Sequence, residues 1–260
     1  MTINDVIDLI VKSVPGSPFK DTVDTIKAGS GNRPVKGVVT TMFATVDLIG
    51  AAAKLGANFI IAHEPTYYSH TDDTSWLEQD PVYRYKRELL DKHGITVWRC
   101  HDYLHDHEPD GVYAAILPML GWKAEDAAKP WLVNLPGVSL QSVIDLTKQK
   151  LNIEHLRFMG DPAQTCSKVC LMVGAAGGKR QIQMLATEKP DLLIVGELVE
   201  WETLEYVRDL RSSGSKTALI ILGHIPSEEP GMQWLADWLA PQLNDIPVKH
   251  IPTGTAVKWS

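Results

Sequence analysis

Two short segments of the chain carry histidine and carboxylate side chains at a spacing that suits metal binding. His101 and His105 lie four residues apart, and His224 and Glu228 have the same spacing. Residues four apart share one face of a helix. Imidazole and carboxylate donors favour Zn, Mn, Fe, Co or Ni over Ca or Mg. The spacing therefore predicts two donor pairs for divalent transition metal.

A third donor segment is His63-Glu64, which follows the apolar run 58–62. A single histidine at a strand end is more often structural. The adjacent carboxylate changes this interpretation, because a carboxylate at the mouth of a sheet is costly unless it is paired. We therefore include both residues among the candidate metal ligands.

Each donor pair has a simpler alternative. The segment with His101 and His105 could be a solvated polar loop. We expect the neighbouring His107 and Glu108 to face solvent. For the second pair, Ser227 could cap a helix from Pro230 to Leu239 with Glu228 in its first turn. The remaining histidines have no evident partners and are interpreted as surface or structural residues: His70, His93, His155 and His250.

The elements that must position these residues alternate between strands and helices. Predicted strands cover 35–42, 58–62, 95–100, 167–173, 191–195 and 217–222, and predicted helices cover 2–13, 46–55, 81–93, 139–151, 179–187 and 201–212. Alternation of this kind predicts parallel sheets covered by helices. Functional groups in such sheets collect beyond the carboxyl ends of the strands. The three donor segments all follow predicted strands.

The second half of the chain repeats the order of the first. Gly196-Glu197 occupies the place of His63-Glu64, and His224 occupies that of His101. We therefore predict an α/β fold of two pseudo-repeated halves, 1–124 and 125–260, with mostly parallel sheets. Residues 125–161 are interpreted as the link and its helix, and residues 247–254 as a strand beside the unit of His224.

Composition excludes several classes of function. The formal net charge of −7 argues against a nucleic-acid or anionic-membrane binder. No apolar stretch approaches the roughly 20 residues that span a bilayer, and the N-terminus lacks the pattern of a signal peptide. Three cysteines form no disulfide framework, so a cytoplasmic protein is expected.

Four motifs resemble those of the NIF-three-like dinuclear metal proteins, some of which carry the name type-2 GTP cyclohydrolase I homologue. Residues 56–65 resemble the family's strand followed by His-His-Pro, and residues 101–105 resemble its His-x-x-x-Asp. Residues 192–198 resemble its Thr-Gly-Glu strand end, and residues 222–228 its Gly-His-x-x-x-Glu. The resemblance covers almost the whole chain, in order.

The resemblance implies two linked α/β halves, a dinuclear centre between them, and self-association, often as a ring-shaped hexamer built from trimers. Carried over by position, the ligand residues are His63, Glu64, His105, His224 and Glu228, with His101 at or near the metals. Three departures stand out: Glu64 replaces a histidine, His105 replaces an aspartate, and Trp201 replaces a histidine of many relatives. We interpret the first two as compensating each other if both side chains reach one ion.

These observations favour a metal-dependent hydrolase with two divalent transition-metal ions (Zn, Mn, Fe or Ni), acting on a small phosphorylated or nucleotide-like substrate. Two ions roughly 3.5–4 Å apart can activate water and clamp a leaving oxygen. We expect Glu228 to bridge the ions and Glu197 to act as a base or to contact a ligand; a surface ion pair is the alternative for Glu197.

GTP cyclohydrolase activity rests on the resemblance alone. A non-catalytic metal-binding, regulatory or metal-chaperone scaffold is the alternative function.

Two further segments are candidates for contact with a substrate. The glycine-rich segment 174–179 could hold a phosphate at a helix N-terminus, although it does not match the P-loop pattern. Tyr67, Tyr68 and Trp76 follow His63-Glu64 and are a predicted substrate rim; core or surface packing is the alternative for Trp76.

Overall fold

A computed structural model describes residues 1–71 and 73–258 of the protein. The helices are α1 (Ile3–Lys12), α2 (Val46–Lys54), α3 (Pro81–His93), α4 (Asp102–His105), α5 (Gly111–Met119), α6 (Leu140–Leu151), α7 (Gly178–Glu188), α8 (Glu205–Ser212) and α9 (His224–Leu239). The strands are β1 (Ile26–Ala28), β2 (Val38–Thr41), β3 (Phe59–Ala62), β4 (Thr96–Arg99), β5 (Ala124–Asp126), β6 (Lys129–Ser139), β7 (Arg157–Met159), β8 (Thr165–Met172), β9 (Leu192–Val195), β10 (Ala218–Ile221) and β11 (Val248–His250).

The chain forms two compact units. The first contains residues 1–112 and 231–254, and the second contains residues 113–230 and the tail from Thr255. The predicted boundary at residue 125 differs from this division, because residues 113–124 belong to the second unit and residues 231–254 to the first. Strand β11 adds to the sheet of the first unit, where it pairs with β2. The prediction that residues 247–254 lie beside the strand preceding His224 was therefore wrong.

The first unit is built on a five-stranded sheet in the order β1-β4-β3-β2-β11. Strands β4, β3, β2 and β11 run parallel, and β1 joins the edge in the antiparallel direction. Every residue of β2, β3 and β4 is buried, as expected for strands covered on both faces. Ala62 and Arg99 are paired at the carboxyl ends of β3 and β4, so the residues that follow these strands emerge side by side.

Local signals fix the helices of this unit. Thr45 caps α2 by accepting a hydrogen bond from the backbone of Leu48. Asp80 caps α3, Pro81 occupies its first turn, and Gly94 ends it in the left-handed conformation. These caps explain why the sequence predicted both helices closely.

The second unit is built on a six-stranded sheet in the order β5-β6-β8-β9-β10-β7. Its central strands β8, β9 and β10 are parallel, with Met172 opposite Val195 and Val195 opposite Ile221. Strands β5, β6 and β7 pair in the antiparallel direction. The link predicted for residues 125–161 therefore contains α6 and also sheet strands.

The predicted α/β class with two halves is confirmed. In each unit, a parallel core of strands holds donor residues just beyond its carboxyl edge, and antiparallel strands complete the sheet. Over the described part of the chain, no helix combines the length and apolar character needed to cross a membrane.

Candidate metal centre

In the first unit, three imidazoles come together at the carboxyl ends of β3 and β4. His63 follows β3, His101 follows β4, and His105 lies one helical turn later, at the end of α4. Their ligand atoms all lie within 4.8 Å of one another. The sequence prediction that His101 and His105 share a helical turn is confirmed, since the His105 amide donates to the His101 carbonyl at 3.1 Å.

Hydrogen bonds fix the tautomer of each of these imidazoles. Each Nδ1 faces an acceptor: the Cys100 carbonyl for His63 (3.1 Å), the Asp102 carboxylate for His101 (2.8 Å) and the Asp110 carboxylate for His105 (3.2 Å). A carbonyl or carboxylate can only accept, so in the neutral ring the proton is on Nδ1 and the lone pair is on Nε2. Metal-binding histidines are oriented by such partners.

The electrostatics of His101 also suit a cation. Burial lowers its pKa to about 4, and the neighbouring His63 and His105 act in the same direction, against the hydrogen bond to Asp102. The ring is therefore neutral at pH 7. A neutral imidazole has no proton to release before it binds a metal.

Two acidic residues position the short helix α4. The buried carboxylate of Asp24 accepts hydrogen bonds from the amides of His101 (2.8 Å) and Tyr103 (2.9 Å). Burial raises the pKa of Asp24, although these hydrogen bonds act against the increase. Asp102 accepts from the Thr22 hydroxyl at 2.8 Å. The turn that carries the donor histidines is thus tied to the segment before β1.

Glu64 is held by a buried arginine. Its Oε2 lies 3.3 Å from Nη2 of Arg99, which is fully buried at the end of β4. Arg99 also donates to the carbonyls of His63 (3.2 Å) and His70 (2.7 Å). The carboxylate that sequence analysis placed among the ligands therefore has a charged partner that sequence analysis missed.

In the second unit, His224 and Glu228 occupy the first turns of α9. His224 Nε2 lies 2.9 Å from Glu228 Oε2, and its Nδ1 lies 3.5 Å from Glu197 Oε1. Helix α9 begins at His224, so the alternative in which Ser227 caps a helix starting at Pro230 is wrong. One imidazole between two carboxylates is a donor set suited to a divalent cation.

A pocket of backbone and hydroxyl groups holds this pair. The Ser227 hydroxyl donates to the His224 carbonyl (2.7 Å) and accepts from the Gly174 amide (2.9 Å). Gly174 has φ +57°, and a Cβ there would overlap the Glu228 carboxylate. A Cβ at Gly196 would overlap both Gly174 and Ser227. These glycines are required because the carboxylate packs directly on the backbone at the end of β8.

A comparison with protein families matches almost the whole chain. The model of the family described as Duf34/NIF3 (NGG1p interacting factor 3) matches residues 1–255. The chain belongs to the DUF34/NIF3 family. It is 23% identical over 243 residues to a Clostridium perfringens protein named GTP cyclohydrolase 1 type 2 homolog, a match that covers 88% of each chain.

Solved structures share the fold of this DUF34/NIF3 chain. The Staphylococcus aureus hypothetical protein SA1388 matches with a TM-score of 0.78 and 19% identity, covering 100% of this chain and 99% of that one. A Bacillus cereus protein related to NIF3 matches with a TM-score of 0.76 and 13% identity over the same shares. At these identities the likeness concerns the fold.

Several predictions about neighbouring residues of this DUF34/NIF3 chain need correction. His107 does not face solvent: both ring nitrogens are buried, and the ring packs edge-on against Trp234 and Trp238 at 5.0 and 5.6 Å. His70 was expected to lack partners, yet it binds Arg99. The predictions for both imidazole rings were wrong because the residues that contact them are distant in sequence.

The predicted substrate rim is divided between core and surface. Tyr67 is buried in the core of the first unit, whereas Tyr68 and Trp76 are exposed. Trp201 is also exposed. Lys86 is buried, lies over both tyrosine rings and donates to the Thr66 carbonyl at 2.6 Å.

The glycine-rich segment 174–179 does lead into a helix, as predicted. However, the carboxylate of Glu202 lies against Gly178, in the first turn of α7. A protein carboxylate thus already faces the positive end of this helix, where it would repel a phosphate. The segment positions Glu228 through Gly174 instead.

Proposed function

We propose that the protein binds two divalent transition-metal ions through His63, Glu64, His101, His105, His224 and Glu228, and that it acts as a metal-dependent hydrolase. The observation that carries the proposal is the set of three buried or half-buried imidazoles whose Nδ1 atoms all face acceptors. Their lone pairs are left on the Nε2 atoms. A purely structural histidine cluster has no need for three identical tautomers.

The charges of the donor sets support divalent metal in particular. His224 lies between two carboxylates, and Glu64 adds a further carboxylate in the first unit. Imidazole with carboxylate suits Zn, Mn, Fe or Ni. We further propose that the donors of both units serve one dinuclear centre, as the sequence resemblance implies.

When bound, divalent ions would act as Lewis acids toward a phosphoryl or carbonyl oxygen. The residues of this chain have separate tasks. Asp102 and Asp110 orient the imidazoles of His101 and His105 through their Nδ1–H groups. Glu197 is half-exposed and contacts His224, so its carboxylate can accept a proton from solvent or substrate.

The substrate class that we propose is a small phosphorylated or nucleotide-like molecule. The name of the Clostridium perfringens relative supports including GTP among the compounds tested. Self-association into a trimer or hexamer stays a prediction from the resemblance, and light scattering after size-exclusion chromatography would measure it.

The test is metal analysis by mass spectrometry on protein loaded with Zn, Mn, Fe or Ni and then dialysed. We expect up to two ions per chain in the wild type and a loss of at least one in His63→Ala and Glu228→Ala. His93→Ala and His155→Ala are the matched controls, because neither histidine follows the carboxyl end of a strand that carries donors: His93 ends α3 before the amino end of β4, and His155 lies between α6 and β7.

Retention of full metal content in His63→Ala and Glu228→Ala would contradict the assignment of these ligands. A panel of phosphomonoesters, phosphodiesters and nucleotides then tests hydrolysis. A protein that binds metal but hydrolyses none of these compounds would be a metal-binding or regulatory scaffold, and the hydrolase proposal would fail.

A further inference from the structure

His70 differs from the three clustered histidines in the direction of its hydrogen bond. Its Nδ1 lies 3.2 Å from Nη2 of Arg99. A guanidinium has only N–H donors and remains protonated. The Nδ1 atom of His70 must therefore accept. In the neutral ring the proton is then on Nε2, the opposite tautomer from that of the cluster.

This orientation is enforced by a rigid partner. Arg99 has no exposed surface and also donates from Nη1 to the His70 carbonyl at 2.7 Å. Backbone and ring of His70 are thus held by the same guanidinium. The arginine is itself fixed by the His63 carbonyl and the Glu64 carboxylate. Rotation of the ring about its axis would break the contact with a buried charge, which is costly.

The position of His70 relates it to the donor cluster. Its ring lies edge-on to that of His101, with centroids 5.5 Å apart, and the residue is exposed. An Nε2–H group cannot bind a cation, but it can donate a hydrogen bond to an oxygen. An exposed donor beside a cation site suits an anionic ligand.

We propose that His70 is a substrate-positioning residue, which donates a hydrogen bond from Nε2 to an oxyanion bound beside the His63, His101 and His105 cluster. The inference rests on the proposed function and sharpens its substrate class to one that carries a phosphate-like group. Arg99 acts through His70 by fixing its tautomer.

The first test needs no metal. In protein labelled with ¹⁵N-histidine, long-range ¹H–¹⁵N spectra at about pH 8 distinguish the two neutral tautomers. We expect the Nε2–H form for His70 and the Nδ1–H form for His63, His101 and His105. His70→Gln assigns the His70 signals by their loss. An Nδ1–H form for His70 would overturn the proposal, whatever the result for metal.

The second test measures the affinity of metal-loaded full-length protein for inorganic phosphate by calorimetry. His70→Leu removes the donor, and His70→Gln retains an amide N–H donor. We expect phosphate to bind His70→Leu about tenfold more weakly than wild type, and His70→Gln within about threefold of wild type, because one hydrogen bond to a charged group is lost only in the leucine variant. The wild type and both His70 variants should contain the same amount of bound metal.

The outcomes separate this inference from the proposed function. Normal metal uptake with equal phosphate affinity in His70→Leu and wild type would overturn the role of His70 alone. Loss of metal in His70→Leu would also overturn it, because His70 would then support the ligands instead of the anion. Failure of the wild type to take up metal would overturn the proposed function, while the tautomer measurement still decides the geometry of His70.

Discussion

Buried charges surround the donor residues of the first unit, whereas backbone and hydroxyl groups hold those of the second. In the first unit, Arg99 pairs with Glu64, and buried Lys86 binds the carbonyl of Thr66 two residues later. In the second unit, Glu228 packs on Gly174, and Ser227 links that glycine to His224.

The donor residues of the two units should therefore respond differently to substitutions around them. A buried charge that loses its partner is strongly destabilising, so the first set tolerates few substitutions and depends on pH. The second set depends on close packing, so added volume should disturb it more than lost charge. The four predictions below test this contrast, from the largest expected effect to the smallest.

Replacing the buried arginine should have the largest effect. We expect Arg99→Leu to lower the free energy of unfolding by about 3–5 kcal/mol, because Glu64 would remain as a buried carboxylate without its cation. Urea unfolding measures this. The control is Arg157→Leu, which breaks the exposed pair with Glu200 and should cost less than about 1 kcal/mol. Equal losses in the two variants would refute the special cost of removing the buried cation in the first unit.

Lys86 should make the stability of the protein depend on pH. Burial lowers its pKa to about 8 from the ordinary value of 10.5. As the pH falls from about 10.5 to 8, the Lys86 amine of the unfolded chain is protonated before that of the folded chain. The free energy of unfolding therefore decreases, on the order of 2–3 kcal/mol. Below pH 8 the loss is complete.

Comparison of wild type with Lys86→Met by urea unfolding isolates this effect. The wild type should gain stability relative to the variant between pH 7 and pH 10. Lys92→Met, at an exposed position on the same helix, is the matched control, and its difference from wild type should stay nearly constant. If the difference in unfolding free energy between wild type and Lys86→Met also stays constant between pH 7 and pH 10, then burial does not lower the pKa of Lys86.

Two glycines of the second unit test the packing of its donor residues. Gly174 and Gly121 have φ of +57° and +69°, but only at Gly174 would a Cβ overlap Glu228, while no atom lies within 4 Å of a Cβ at Gly121. Alanine at either position carries the strain of a positive φ. We expect Gly174→Ala to be less stable than Gly121→Ala by about 1–3 kcal/mol.

Metal content should follow the same order in these two variants, with a loss only in Gly174→Ala. Combining Gly174→Ala with Glu228→Asp should recover part of the stability, because the shorter side chain leaves room for the methyl group. No recovery, together with equal stability of the two single variants, would contradict the packing of Glu228 on Gly174.

The smallest effect is expected at Ser227. Ser227→Ala removes the hydroxyl that joins the Gly174 amide and the His224 carbonyl, at a cost of about 1–2 kcal/mol. Ser213→Ala removes an exposed hydroxyl and should change stability by less than about 0.5 kcal/mol. A change at Ser227 as small as that at Ser213 would mean that packing alone holds the second set.

The sequence predicted the elements with strong local signals. The helix α3 has an aspartate cap, an initial proline and a terminal glycine, and its predicted bounds agree with the structure. The buried strands β3, β4, β9 and β10 were recognised from short apolar runs. Short edge strands such as β1 and β7 were missed, because their residues are only partly buried and carry no apolar pattern.

The candidate donor residues could be chosen from the sequence, because histidine and carboxylate types at strand ends and at a spacing of four are visible in the chain. What only the tertiary structure decided is which groups hold them. Arg99 lies 35 residues from Glu64, and Gly174 lies 53 residues from Ser227. Pairing of parallel strands brings such residues to one edge of a sheet. Spacing along the chain does not show which hydrogen bond sets a tautomer, nor where a side chain occupies the space beside a glycine.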